Sequence, residues 1–301
     1  GNISNVRVVK GTALYTSNFT PPTSALTAVS NTKLLTCQNS TGSITDASSS
    51  NHSITAAGNA AANASGPFPV FTVPTSSLTN ITNTKLLTLQ DMTPPGSGIP
   101  SDASSSSHTI TKTGDIVHSY ATPFAQGTGG SIYFDGGYSG TADWISGTLP
   151  AGPGASDDFT LEMWIKPTSL NPSPYAQNGM VQIRNSAMSA TGSFNGLGFA
   201  YRGGGTGNAN YNQWKMIVGT TYVATYDGIQ NDALAPPINS WTHVAMIRIG
   251  TVTSLFVGGK GVIKYEGDNN SYSTSTHLGL GAYYSTAEAI MNGYISNFRY
   301  I

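Results

Sequence analysis

The chain has 301 residues, room for one large β domain or two ordinary ones, with 13 Lys and Arg against 14 Asp and Glu and a formal net charge of −1. A charge so close to zero gives no long-range attraction for nucleic acid or an anionic membrane surface, and no apolar run approaches the ~18 residues of a membrane-spanning helix. Charged residues make up only 9% of the chain, yet 38% are hydrophobic, including 15 Tyr, 10 Phe and 4 Trp, so a packed core sits beneath a surface of hydroxyls and amides.

Residues 1–9, GNISNVRVV, read as a strand with Ile3 and one or more of Val6, Val8 and Val9 facing inward. The chain ends GYISNFRYI at 293–301, which repeats that start at Gly, Ile, Ser, Asn and Arg. The first copy is therefore expected to be the terminal strand of a preceding domain, followed by a connector to about residue 30, in a piece of a longer polypeptide. A second repeat matches FTPPTSALTAVSNTKLLTCQ at 19–38 to FTVPTSSLTNITNTKLLTLQ at 71–90, identical at 14 of 20 positions. DASSSNHSIT at 46–55 then matches DASSSSHTIT at 102–111. Each unit predicts a strand, a variable turn, an Asp-Ala-Ser-Ser-Ser turn and a short strand. Asp46 and Asp102 suit the holding of backbone N–H groups in these turns, and His52 and His108 a structural hydrogen bond to the backbone. Segment 31–72 is expected to be an abbreviated β repeat and linker, because so few large apolar groups make no core alone. The single cysteine, Cys37, follows Leu34-Leu35-Thr36 and reads as a small buried hydrophobe.

Residues 73–301 form the complete domain in this reading. Ile132 and Phe134 alternate with Ser131, Tyr133 and Asp135; Phe159, Leu161, Met163 and Ile165 alternate with Thr160, Glu162, Trp164 and Lys166. Both patterns predict strands with one core-facing side. Further strands follow at 197–201, 214–218, 221–226, 241–249, 253–257, 261–265, 276–281 and 293–300, with Gly258-Gly259 as a tight hairpin turn. Ser285–Met291 is the one helical candidate, a single turn. Short strands at this spacing indicate an all-β, antiparallel two-sheet jelly-roll sandwich, here with an extended N-terminal β arm.

The order of GSIYFDG, FTLEMWIKP, Trp241-Thr242-His243-Val244-Ala245 and Gly293-Tyr294-Ile295-Ser296-Asn297-Phe298-Arg299 resembles the laminin-G-like, concanavalin A-like jelly rolls, most closely their bacterial and phage surface or virion versions. That resemblance implies the sandwich, and it implies calcium as the metal to consider, held by Asp side chains at the sandwich rim. Candidates are Asp135, Asp143 and Asp268, with hard oxygen ligands suited to the ion. No other cofactor is expected, and zinc has no Cys/His set.

Catalysis is not expected. A retaining glycosidase needs two carboxylates about 5 Å apart, and the strand Thr160–Lys166 carries Glu162 alone; no G-x-S-x-G nucleophile elbow occurs. His243, beside Trp241, reads as packing. A sugar platform would need aromatic faces with nearby amides; Tyr201, Tyr211, Asn212 and Trp214 flank a Gly-rich loop, and Tyr283 and Tyr284 lie in another. The leading expectation is a non-enzymatic structural component of a phage virion (fibre, appendage or decoration) or bacterial surface assembly. It would self-associate or bind neighbouring subunits by strand addition through residues 1–72, at the virion or the extracellular cell surface. The alternatives are a carbohydrate-binding adhesin that meets surface glycans and, third, a glycoside hydrolase.

Overall fold

The computed structural model describes residues 3–19, 22, 25–39, 42–62, 71–90, 98–125, 129–136, 143–170, 178–187, 195–203, 213–224, 235–282 and 291–301. The chain divides into two compact units, Gly1–Phe71 and Thr72–Ile301.

In the first unit β1 (Val6–Val9) pairs antiparallel with β2 (Thr32–Thr36). Segments 1–30 and 31–72, separated in the sequence reading, are joined here by one ladder within the first unit. Few apolar side chains are available here, so a carboxylate holds the corner. Asp46, 4% exposed, accepts the N–H groups of Leu35 (2.9 Å) and Ser48 (2.8 Å) through Oδ1, and those of His52 (2.9 Å) and the Ser48 hydroxyl (3.0 Å) through Oδ2. Burial alone would raise its pKa. The amides of Leu35, His52 and Ser48 and the Ser48 hydroxyl outweigh that and hold it well below the usual carboxylate range. The turn role expected of Asp46 is the one observed, and His52 takes part through its backbone N–H. Cys37 departs from expectation: just past the end of β2 with a positive φ of 59° it is half-buried, whereas Leu89, its counterpart in the repeat with φ 63°, is 2% exposed.

The second unit is an antiparallel two-sheet jelly roll. Its strands are β3 (Leu86–Thr88), β4 (Ile110–Thr113), β5 (Val117–Ser119), β6 (Ser131–Asp135), β7 (Trp144–Thr148), β8 (Phe159–Pro167), β9 (Asn178–Arg184), β10 (Gly196–Arg202), β11 (Gln213–Gly219), β12 (Thr221–Ala224), β13 (Thr242–Ile249), β14 (Val252–Val257), β15 (Lys260–Glu266), β16 (His277–Leu280) and β17 (Asn292–Tyr300). One sheet runs β12-β11-β10-β9-β16-β7-β4; the other runs β15-β14-β13-β8-β17-β6-β5, with β3 also paired to β17. The period-2 alternation sends Leu161, Met163 and Ile165 of β8 and Val244 and Met246 of β13 to the inner face, opposite Val181 and Ile183 of β9 and Leu197 and Phe199 of β10, all at 0% exposure. Gly258 and Gly259 both take positive φ, 56° and 79°, which gives the β14–β15 hairpin the twist its strands need. The single helical turn expected at Ser285–Met291 lies outside the described residues, apart from Met291 itself. Among the described residues no helix is long and apolar enough to cross a membrane.

The corner that closes the sandwich repeats the first unit's chemistry. Asp102 accepts the N–H groups of Leu87 (3.1 Å), Ser104 (2.8 Å) and His108 (2.8 Å), as Asp46 does at the matching positions.

Candidate functional site

Three places bear on function: the aromatic positions expected to bind sugar, the carboxylates expected to bind metal, and a groove that the sequence reading did not single out.

The aromatic platform is corrected at two positions. Tyr201 and Trp214 are directly opposite each other on β10 and β11, meet edge to face with ring centroids 5.4 Å apart, and are both 0% exposed. Steps of two from Phe199 bring Tyr201, and steps of two from Met216 bring Trp214, onto the core face, so neither ring can stack on a sugar. Tyr211, Asn212, Tyr283 and Tyr284 lie outside the described residues.

The carboxylates divide. Asp268 is fully buried, and its oxygens accept from the Thr253 hydroxyl (2.6 Å), the Tyr272 hydroxyl (3.1 Å to each oxygen) and the Asn270 side-chain amide (2.8 Å). Arg248, also fully buried, sits 3.7 Å from it, donates to the carbonyls of Asp157 (2.8 Å) and Asn270 (3.0 Å), and lies against the rings of Phe159 and Tyr272. Asp268 is therefore the internal counter-ion of Arg248, and the expected calcium role is corrected for it. Burial, followed by the Asp268 charge, pushes the Tyr272 hydroxyl well above its usual range, so it remains a donor to that carboxylate.

Asp135 and Asp143 do come together, and Asp115 joins them: carboxylate oxygens of the three lie within 4.8 Å of one another. Asp143 is 1% exposed and accepts the N–H of Asp115 (3.0 Å) and of Asp135 (3.3 Å). Burial raises its pKa, and the charges of Asp135 and Asp115 push the same way. A hard cation would relieve this crowding of acceptors. Asp115 was missed because the segment after Thr113 carries no ligand spacing; only the β4–β7 and β6 geometry brings it near the other two.

Glu162, the lone carboxylate of β8, is 2% exposed and committed. Arg299 grips its Oε1 through Nε (2.9 Å) and Nη2 (2.5 Å), while His243 lies 3.1 Å from its Oε2. Burial would raise its pKa, but the His243 hydrogen bond and the Arg299 charge together hold it below the usual value. His243 is thus more than packing: it is a polar partner inside the sheet, edge to face with Trp164.

The groove lies across β4, β7 and β16. Register sets Thr111 opposite Ser146 and Ser146 opposite Gly279, Thr113 opposite Trp144, and Thr148 opposite His277. Ile110, Ile145, Leu278 and Leu280 of the same strands enter the core, so alternation turns the hydroxyl-bearing residues outward. Together Thr109, Thr111, Thr113, Trp144, Ser146, Thr148 and His277 line most of a cavity of about 520 Å³. The Thr111 and Ser146 hydroxyls lie 2.8 Å apart, which fixes them as a linked donor and acceptor pair. Among the described residues the lining holds one half-buried indole, several hydroxyls and one imidazole, and no carboxylate. Such a surface offers hydrogen bonds and an aromatic face to a neutral polar ligand. Thr109-Ile110-Thr111-Lys112-Thr113 carried the signal in its alternation, but its partners lie more than thirty residues away.

The chain belongs to the concanavalin A-like lectin/glucanases superfamily, whose model matches residues 139–300, more than half of the sequence. No curated protein matches it. Similar solved structures include domain 4 of AbnA, a GH43 extracellular arabinanase from Geobacillus stearothermophilus, in complex with arabinotriose, at 14% identity and a TM-score of 0.46, covering 72% of this chain and 91% of that one. The receptor binding domain of botulinum neurotoxin D gives 13%, 0.49, 72% and 48%, and the binding domain of Paraclostridial Mosquitocidal Protein 1 gives 14%, 0.45, 72% and 48%. The chain spans nearly all of the arabinanase domain and about half of the other two structures. At these identities the likeness is one of fold.

Proposed function

We propose that this chain is a non-catalytic glycan-binding module of an adhesin type, exposed at an extracellular cell surface or on a virion, and that the groove across β4, β7 and β16 holds a neutral oligosaccharide. The observation that supports this is the pairing of the Trp144 ring with a rank of outward hydroxyls, Thr111, Ser146 and Thr148, in a groove large enough for a few sugar units whose described lining carries no Asp, Glu, Lys or Arg. An indole face covers the apolar side of a pyranose or furanose, and the hydroxyls exchange hydrogen bonds with those of the sugar. Glu162, held by Arg299 and His243, has no freedom to act as an acid or nucleophile. A panel of neutral oligosaccharides titrated calorimetrically tests the reading. At least one should bind with a Kd below about 1 mM, and Trp144→Ala should weaken it at least about tenfold with the far-UV dichroism unchanged. Absence of binding across the panel contradicts it.

A second reading, a structural component of a virion fibre, appendage or decoration or of a bacterial surface assembly, is favoured by one observation: the first unit rebuilds the closing corner of the sandwich. It is tested by the mass of the full chain in solution across a range of concentrations, where concentration-dependent multimers support it and a monomer throughout counts against it.

Calcium, the one metal proposed, would be held by Asp115, Asp135 and Asp143. A melting temperature raised by calcium and restored by chelator, with the rise lost in Asp135→Asn, supports this; equal melting in both conditions contradicts it.

A further inference from the structure

Strand β1 is built like β17 yet lies at a sheet edge. The two strands match in geometry as well as sequence. Asn5 and Asn297 both take positive φ, 55° and 52°, and donate their N–H to Cys37 O (3.0 Å) and Leu89 O (2.8 Å) respectively. Their Oδ1 atoms accept the N–H of Leu26 and of Leu78, each at 2.9 Å. Arg7 stands opposite Leu35 as Arg299 stands opposite Leu87, and the two Nη1 groups donate to Thr27 O (2.9 Å) and Thr79 O (3.0 Å). These bonds on one side of the strand occur in both copies.

The other side is not. Strand β17 pairs along its second edge with β8; there Arg299 meets Glu162, and Ile295, Phe298 and Tyr300 are at most 2% exposed. Among the described residues β1 pairs with β2 alone. Ile3, the counterpart of Ile295, is 77% exposed, and Val8, the counterpart of Tyr300, is 48% exposed. The Nη2 of Arg7 reaches the Tyr15 hydroxyl at 3.5 Å where Arg299 holds a carboxylate. An open edge carrying exposed Ile and Val, with a guanidinium set for a buried acid, is shaped for strand addition.

We propose that β1 with β2 is the prefabricated closing corner of a second jelly roll of this family. The partner is a sandwich without its own closing strand and without its own β3-type strand, presenting the bare edge of a β8-like strand that bears a glutamate. In the docked state Ile3 enters that sandwich's core, β1 runs antiparallel to the acidic strand, and Arg7 takes its carboxylate. A second copy of this chain offers no such opening, since β17 fills it. This deepens the assembly reading and is independent of glycan binding.

The full chain tests it. Tyr294→Asn, Phe298→Val, Tyr300→Val and Ile301→Val together give residues 293–301 the sequence of residues 1–9. This variant should keep a native far-UV spectrum and one cooperative melt, lowered by about 5–15 °C for the lost ring volume, and adding Arg299→Glu should abolish that melt. Loss of the cooperative melt in the variant with four substitutions overturns the proposal, and so does a melt that the added Arg299→Glu leaves unchanged. Light scattering of the unmodified chain reads the assembly proposal separately, so failure of one is told from failure of the other.

Discussion

At the scale of single residues, two buried charges organise the sandwich, and both are held by several partners rather than one. Arg248 has carbonyls, rings and Asp268 around it, and Asp268 has three side-chain donors besides. Removing one member strands the other in a low-dielectric interior, so Asp268→Ala should destabilise the second unit by about 3–5 kcal/mol, measured by urea unfolding. Glu162 adds a pH dependence whose sign follows from its lowered pKa. Its contribution is fully present above the ordinary Glu pKa of about 4.3 and is lost as pH falls through the lower folded value. Stability measured from pH 7 down to pH 3 should therefore decline on the acid side, and Arg299→Ala should flatten that decline while lowering the plateau. Of the three calcium candidates, Asp135 and Asp143 lie together with Asp115, while Asp268 is a buried counter-ion, and that burial is not written in the pattern Asp-Asn-Asn. The mistake at Tyr201 and Trp214 has a different cause. They flank a Gly-rich loop, but the two-residue period continues through them and turns both rings into the core.

At the scale of elements, that same period made most strands legible, since a half-buried strand prints its inner face every second residue. Phe159 to Ile165 and Ile132 to Phe134 lie where alternation puts them. The repeat of Thr-Lys-Leu-Leu-Thr and Asp-Ala-Ser-Ser-Ser likewise announced two corners with one geometry. The groove was illegible because its walls come from β4, β7 and β16, which become neighbours only through sheet order. The end of β16 shows how tightly that order is held: Gly281 has φ +79°, and an added Cβ would stand 2.4 Å from the Phe134 ring. Gly281→Ala should thus meet both backbone strain and a core clash, costing about 2–4 kcal/mol by thermal or urea unfolding. A stability equal to that of the native chain would mean that the β6 and β16 faces pack less closely than described.

At the scale of the whole molecule, the two readings rest on different units: the hydroxyl-lined groove of the second unit is the proposed glycan site, and the open edge of β1 in the first is the proposed site of strand addition. The family assignment fixes the fold, and the groove's lining carries the functional reading. Hydrogen–deuterium exchange of the full chain, with and without a saturating oligosaccharide selected from the panel, tests that reading most directly. The account predicts slowed exchange confined to the backbone around 109–113, 144–148 and 277–280, absent in Trp144→Ala. Protection elsewhere with those segments unchanged would contradict it.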